Sequence, residues 1–220
     1  MNIGTSNIIL SIESSGPTCG VALSGSSGLL GEYTLFPANL HDRMLAELTR
    51  RLLKDLNLSI KNVSAVAVSA GPGSFTGLRI GASIAKALCF EETPKLIAVP
   101  TLSALAAASD EFAQSIKADG IVAIIPSHKE LFYAQKFSND GEPQIDIILA
   151  PQAEISDWIS LKTVICGPGA ALFKNGISLS GLQRISPRFI ARLAGRMLLK
   201  GEFVNAEEFV PQYVQEFVPR

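Results

Sequence analysis

Histidine is almost missing from this 220-residue chain, which holds only His41 and His128, one in each half. A catalytic metal centre draws on histidines and carboxylates clustered on one helix face or loop, so metal binding by this chain alone is not expected. His41, beside Asp42 ahead of a helical pattern, reads as a capping or surface residue, and His128 as an exposed residue of a turn. Cysteine is also scarce. Cys19, Cys89 and Cys166 lie far apart without CxxC spacing, and the opening MNIGTSNIILSIES has no signal-peptide pattern. Both features suit buried thiols in a reducing, cytoplasmic setting. No apolar run reaches the roughly eighteen residues a membrane helix needs; the most hydrophobic helical stretch, Leu78 to Phe90, contains Arg79 and Lys86. Charge is thin too. A net charge of −1 gives no electrostatic footprint for holding nucleic acid unaided, so any tRNA contact is expected only through a complex.

Apolar residues make up 47% of the chain, enough for two small cores. Asn7 to Glu13, Thr18 to Leu23 and Leu29 to Phe36 read as three strands joined by short turns. Pro37 and Asn39 lead into an amphipathic helix over Leu40 to Leu56. The strand Ala65 to Ala70, a helix from Phe75 to Phe90, the strand Leu96 to Val99 and a helix to Ile116 follow. The second half repeats this in reduced form. Its strands are predicted at Ile121 to Ile125, Leu131 to Phe137, Gln144 to Leu149 and Thr163 to Cys166. A short helix is predicted at Gln152 to Ile159 and a longer one at Pro187 to Lys200. Gly71-Pro72-Gly73 and Gly167-Pro168-Gly169 close the fourth strand of each half. The echo predicts an α/β fold of duplicated βββαβα units, in two small domains over residues 1–117 and 118–220.

The segment GPGSFTGLRIG, Gly71 to Gly81, is a strand-to-helix turn whose amides suit an anion. It lacks the Gly-Lys-Ser/Thr of a Walker loop, the dinucleotide fingerprint and the Gly-x-Ser-x-Gly elbow. Its spacing leaves two readings open, a phosphate loop or a tight turn that seats the next helix close to the sheet. In that helix Gly77, Gly81, Ala85 and Cys89 form a ridge of small residues, with Leu78, Ile80, Ile84 and Leu88 around it. Such a helix is either buried within its own domain or placed at an interface.

GPGSFTGLRIG, the hairpin ILSIESSGPTCGVAL, the helix LHDRMLAELTRRLLKDL and the late PQYV together resemble the TsaB (YeaZ) family. Its members are small subunits in bacterial threonylcarbamoyladenosine synthesis on tRNA. The resemblance is close over residues 7 to 108 and thin beyond about residue 120. It implies an ASKHA fold (actin, Hsp70, sugar kinase) and a non-catalytic subunit that needs no cofactor and supports a TsaD-type catalytic partner. A TsaE-type ATPase would join the pair, and the chain alone would form a homodimer. The partner interface would take Leu40, Met44 and Leu48 from the first long helix and Gly77, Leu78, Gly81, Ala85 and Leu88 from the glycine-led one. A bulky side chain at Gly81 is then expected to break pairing while the chain stays folded.

The rival reading is a small ATP-binding kinase or hydrolase, with Glu13, Ser15, Gly71, Gly73 and Ser74 around the phosphates. Glu13 stands where the family usually has Asp, and a structural role in the turn Ser14 to Gly16 is favoured. Relatives commonly show Asp-Ala-Arg after the first strand of the second half. Here Pro126 takes the place of that Asp, with neither charge nor a backbone donor. A protease reading has only Ser74 to offer, with no histidine assigned to it as base.

Overall fold

The computed structural model describes residues 7–37, 40–90 and 94–212, so Asn39 and the Tyr213-Val214 half of the PQYV element lie outside the described residues. Its contacts form two compact units, one of the residues up to Pro100 joined by Ser186–Gln212, the other of Thr101–Ile185.

Unit 1 is built on a five-stranded sheet of order β3-β2-β1-β4-β5, from β1 (Ile9–Glu13), β2 (Cys19–Gly25), β3 (Gly28–Leu35), β4 (Ala65–Gly71) and β5 (Lys95–Pro100). β1 runs antiparallel to β2 and parallel to β4, with Ile12 opposite both Val21 and Val68. Every residue of β1 and β4 is buried, so both faces of the sheet need a cover. One is supplied by α1 (His41–Asp55) and α2 (Phe75–Cys89), the other by α5 (Pro187–Lys200). The pleat shows the division. Gly31, paired with Leu23, faces Leu52 of α1, whereas Gly20, three residues before Leu23 and on the opposite face, meets Pro187 of α5. The α1 side holds a core with Leu10, Ile12, Leu23, Leu45, Leu48, Leu52 and Val68.

Unit 2 repeats the topology. Its sheet has the order β10-β9-β6-β7-β8, from β6 (Gly120–Pro126), β7 (Leu131–Phe137), β8 (Ile148–Pro151), β9 (Thr163–Cys166) and β10 (Ile177–Ser178). β6 is antiparallel to β7 and parallel to β9, as β1 is to β2 and β4. The helices are reduced. α4 (Gln152–Ser156) is little more than one turn where unit 1 has α1, and a 3₁₀ turn at Ala170–Leu172 replaces α2. α3 (Thr101–Ser115) covers one face of β6, β7 and β9, and the other face carries a core in which Phe132 meets Phe173 edge-on at 5.6 Å.

The last helix of each half therefore packs on the sheet of the other half, and the boundary predicted at residues 117/118 falls inside unit 2. The chemistry of α5 explains its place. Ser186 caps it, Pro187 starts it and Gly201 ends it at φ 71°. The Ser186 hydroxyl donates to Glu32 on β3 at 2.7 Å, and Arg188 grips the same carboxylate at 2.6 Å. Burial pulls the Glu32 pKa upward, but the bonds from Ser186, Thr34 and Arg188 outweigh it and hold the group below the usual carboxylate range. β8 begins four residues later than predicted. Before it the chain runs irregularly, anchored by Gln135 Nε2 on the Ile145 carbonyl and by an isolated bridge between Phe137 and Pro143.

Candidate functional site

The best-defined polar constellation in unit 1 forms where β1 ends beside the start of α2. Glu13, the last residue of β1, is fully buried. The Ser15 amide and hydroxyl donate to its Oε1 at 2.7 and 2.6 Å, while Oε2 receives no well-formed bond. Burial pushes the Glu13 pKa up to about 7, against the hydrogen bonds from Ser15 and the smaller contributions of Ser69 and Gly16. Ser14 and Ser69, which sequence reasoning did not single out, complete the cluster. The Ser14 amide donates to Ser69 Oγ at 3.3 Å, and the Ser14 hydroxyl is buried without a partner.

The glycines of the turn follow from this geometry. A Cβ on Gly73 would stand 2.3 Å from the Ser15 carbonyl oxygen, one on Gly77 2.0 Å from that of Ser14, and one on Gly81 2.1 Å from Ser14 Oγ. The first turns of α2 thus slide along Ser14 and Ser15 at backbone distance, which no other residue type permits. Gly71 is required twice over. Its φ is +110°, and a Cβ there would meet the Gln212 carbonyl oxygen at 2.5 Å. The Ser74 amide donates to the Ser15 carbonyl at 2.6 Å, and Ser74 Oγ caps α2 by accepting from the Gly77 amide at 3.3 Å.

Glu13, Ser15, Gly73 and Ser74 are therefore brought together, with Gly71 at the end of the neighbouring strand. Of the two readings of the turn, its internal hydrogen bonds match the one that seats the helix. The residues assigned to a partner interface divide. Leu48, Leu78, Ala85, Gly77 and Gly81 are buried within unit 1, the last two against Ser14, while Leu40, Met44 and Leu88 lie half-buried at the margin of that core beside Ile80 and Ile84. On the outer side of α2, the Arg79 guanidinium sits 3.9 Å from the centre of the Phe75 ring.

His41 is neither cap nor surface. It is the first residue of α1, buried, with Nε2 3.0 Å from the Thr18 carbonyl oxygen, tying the helix to the β1–β2 turn. His128 is exposed, with Nδ1 3.2 Å from the Ser127 hydroxyl, and Pro126 ends β6 exposed. Burial raises the thiol pKa of Cys19 to about 11, helped by the Glu13 charge, and that of Cys166 to about 12, so both remain thiols at neutral pH. Among the described residues no helix is long and apolar enough to cross a membrane.

The family model for TsaD, tRNA N6-adenosine threonylcarbamoyltransferase, matches residues 36–183. The chain is 27% identical over 154 residues to the tRNA threonylcarbamoyladenosine biosynthesis protein TsaB of Bacillus subtilis, covering 70% of this chain and 65% of that protein. Identity to the TsaB of Buchnera aphidicola is 34% over 136 residues, 61% of this chain and 59% of the relative. The chain thus spans about three-fifths of the length of these curated relatives. Among solved structures, YeaZ from Pseudomonas aeruginosa superposes with a TM-score of 0.77 at 24% identity, covering 94% of this chain and all of that one. This likeness agrees with the duplicated, ASKHA-like topology of the two sheets.

Proposed function

Since this chain belongs to the family of TsaD-type proteins and, within it, to the TsaB group, we propose that it is a non-catalytic partner subunit in forming threonylcarbamoyladenosine on tRNA. It binds a TsaD-type catalytic subunit in the cytosol and supports its active arrangement. A TsaE-type ATPase joins the assembly, tRNA is reached only through it, and the chain pairs with itself when the partner is missing. The observation that carries this reading is the use of the glycine turn. Two of the helix-start amides that a phosphate would need are spent on Ser15 and Ser74, and the glycines are filled by Ser14 and Ser15. In the second half, Pro126 stands where an acidic residue would face a nucleotide.

The interface is then carried by the half-buried margin of α1 and α2, with Leu40, Met44 and Leu88 at its centre, while the buried glycines hold the helices in place from behind. Lysine at Met44 and Leu88 together keeps apolar stems on the core and sets two charges into the contact. The Met44→Lys/Leu88→Lys protein is expected to keep its melting temperature within a few degrees and to weaken pairing with the TsaD homologue at least tenfold, about 1.4 kcal/mol or more. Modification of tRNA in a reconstituted mixture should fall with it. Unaltered pairing and modification would sink this placement of the interface.

A further inference from the structure

α2 is held on its sheet by little side-chain bulk. Its buried positions are Gly77, Leu78, Gly81, Ala82 and Ala85, whereas α1 buries Leu45, Leu48 and Leu52. Burial stabilises a helix roughly in proportion to the apolar area it covers, so α2 needs lateral support to keep one position. The sheet order places α1, over β2 and β3, on one side of it and β5 on the other. On the β5 side the support comes from residues 202–212, which lead from α5 on the opposite face of the sheet around the β5 edge. Val204 pairs there with Leu96, its amide donating to the Leu96 carbonyl at 3.0 Å. Phe209, 9% exposed, joins the core beneath α1 and α2. From α2, Lys86 Nζ donates to the Glu207 and Phe209 carbonyls at 2.9 and 3.2 Å. The Gln212 amide then closes on the Ala70 carbonyl at 2.8 Å, beside Gly71.

We propose that residues 202–212 brace α2 for its partner, with Lys86 and Phe209 as the positioning residues, so that pairing requires the brace to be closed. This rests on the pairing role proposed above. Leu88 of that interface follows Lys86 by two residues, about 200° around the helix, so the brace grips α2 on the side turned away from Leu88. Residues 202–212 contain no strand or helix. They hold one isolated bridge and one turn, in which Asn205 Oδ1 accepts from the Glu207 amide at 2.9 Å. A segment with so few backbone bonds opens locally before the sheet does. When it opens, the second half of α2 keeps only α1 and the seam of small residues, and the population competent for pairing falls in proportion.

The test is amide hydrogen exchange by NMR on the full-length chain, read together with a titration of the TsaD homologue. Lys86→Met keeps the apolar stem and removes both bonds to the brace. Protection of the Val204 and Gln212 amides is expected to fall about tenfold or more, and that of residues 84–89 with it, while β1 keeps its own. Pairing should weaken about fivefold. Asn205→Ala, which removes the acceptor of the Glu207 amide outside α2, should move protection and pairing in the same direction. Lys86→Arg, which can still donate to the same carbonyls, should restore both. A loosened brace with unaltered pairing, or weakened pairing with the brace still protected, would overturn the proposal. If the wild-type chain does not pair at all, the partner role falls and exchange alone judges the brace: residues 84–89 still protected in Lys86→Met would overturn it.

Discussion

A Gly81→Leu protein is expected to lose its fold rather than its partner. The sequence places Gly81 in a ridge of small residues that reads equally as an interface between subunits or as packing within one. The structure turns the ridge inward. A first side-chain carbon at Gly81 would come within 2.1 Å of Ser14 Oγ and 3.4 Å of Val68, and the rest of a leucine would have to enter the packed junction of β1, β4 and α2. Ser14 cannot swing away cheaply, because it is fully buried and its backbone amide is bound to Ser69. Overpacking of this kind costs about 3 kcal/mol or more, a large part of the 5–15 kcal/mol that holds a typical domain together. For a chain of this length the melting temperature should drop by roughly 10 °C. Calorimetry of the chain alone checks this. A Gly81→Leu protein that melts like the wild type would show that the ridge faces outward, and that α2 meets a partner through its glycines.

The second large effect is in the pH dependence set by Glu13. Its carboxyl titrates near 4.5 when exposed and near 7 in the folded chain, chiefly because burial disfavours the charge. Below pH 4.5 it is protonated in both states and contributes nothing to the difference. Between 4.5 and 7 the folded chain keeps a proton that the unfolded chain gives up, so stability falls as pH rises. Above 7 the full cost applies, on the order of 3 kcal/mol for a shift of this size. Glutamine has nearly the same shape, accepts from Ser15 as Oε1 does, and carries no charge. The Glu13→Gln protein is therefore expected to lose this decline and to be more stable than the wild type at pH 8, by about 3 kcal/mol. Urea unfolding at pH 5 and pH 8 measures it. If Glu13→Gln is instead less stable at pH 8, the carboxylate is charged and favourably held, and the site has kept the anionic character of a nucleotide-using relative.

Much of the fold was legible because the signals were local. Gly71-Pro72-Gly73 and its echo at Gly167 mark the same strand end in both halves, and the two sheets share one strand order. Ser186, Pro187 and Gly201 frame α5 where the sequence places its ends. What a helix packs against is not a local property. The sheet under α5 is chosen by Glu32, more than 150 residues earlier in the chain, and no periodicity within Pro187 to Lys200 reveals it. The site was half legible for the same reason. Glycines four apart announce that something approaches α2 at backbone distance, but they do not say whether it is Ser14 of the same chain or a helix of another. Gly73, which extends the ladder toward the turn, was the available clue, since it ties the series to the strand end rather than to an outer face. His41 misled for a related reason. Its neighbours Asp42 and Arg43 are exposed, and only the Thr18 carbonyl, brought in by the β1–β2 turn, explains why the ring is buried.

Size-exclusion chromatography with light scattering, on this chain alone and mixed with the TsaD homologue of its own organism, tests the partner role most directly. The account predicts a stable one-to-one complex, with tRNA modification appearing only in the mixture. No complex, together with nucleotide turnover by the isolated chain, would contradict it and make the cluster around Glu13 and Ser74 an active site.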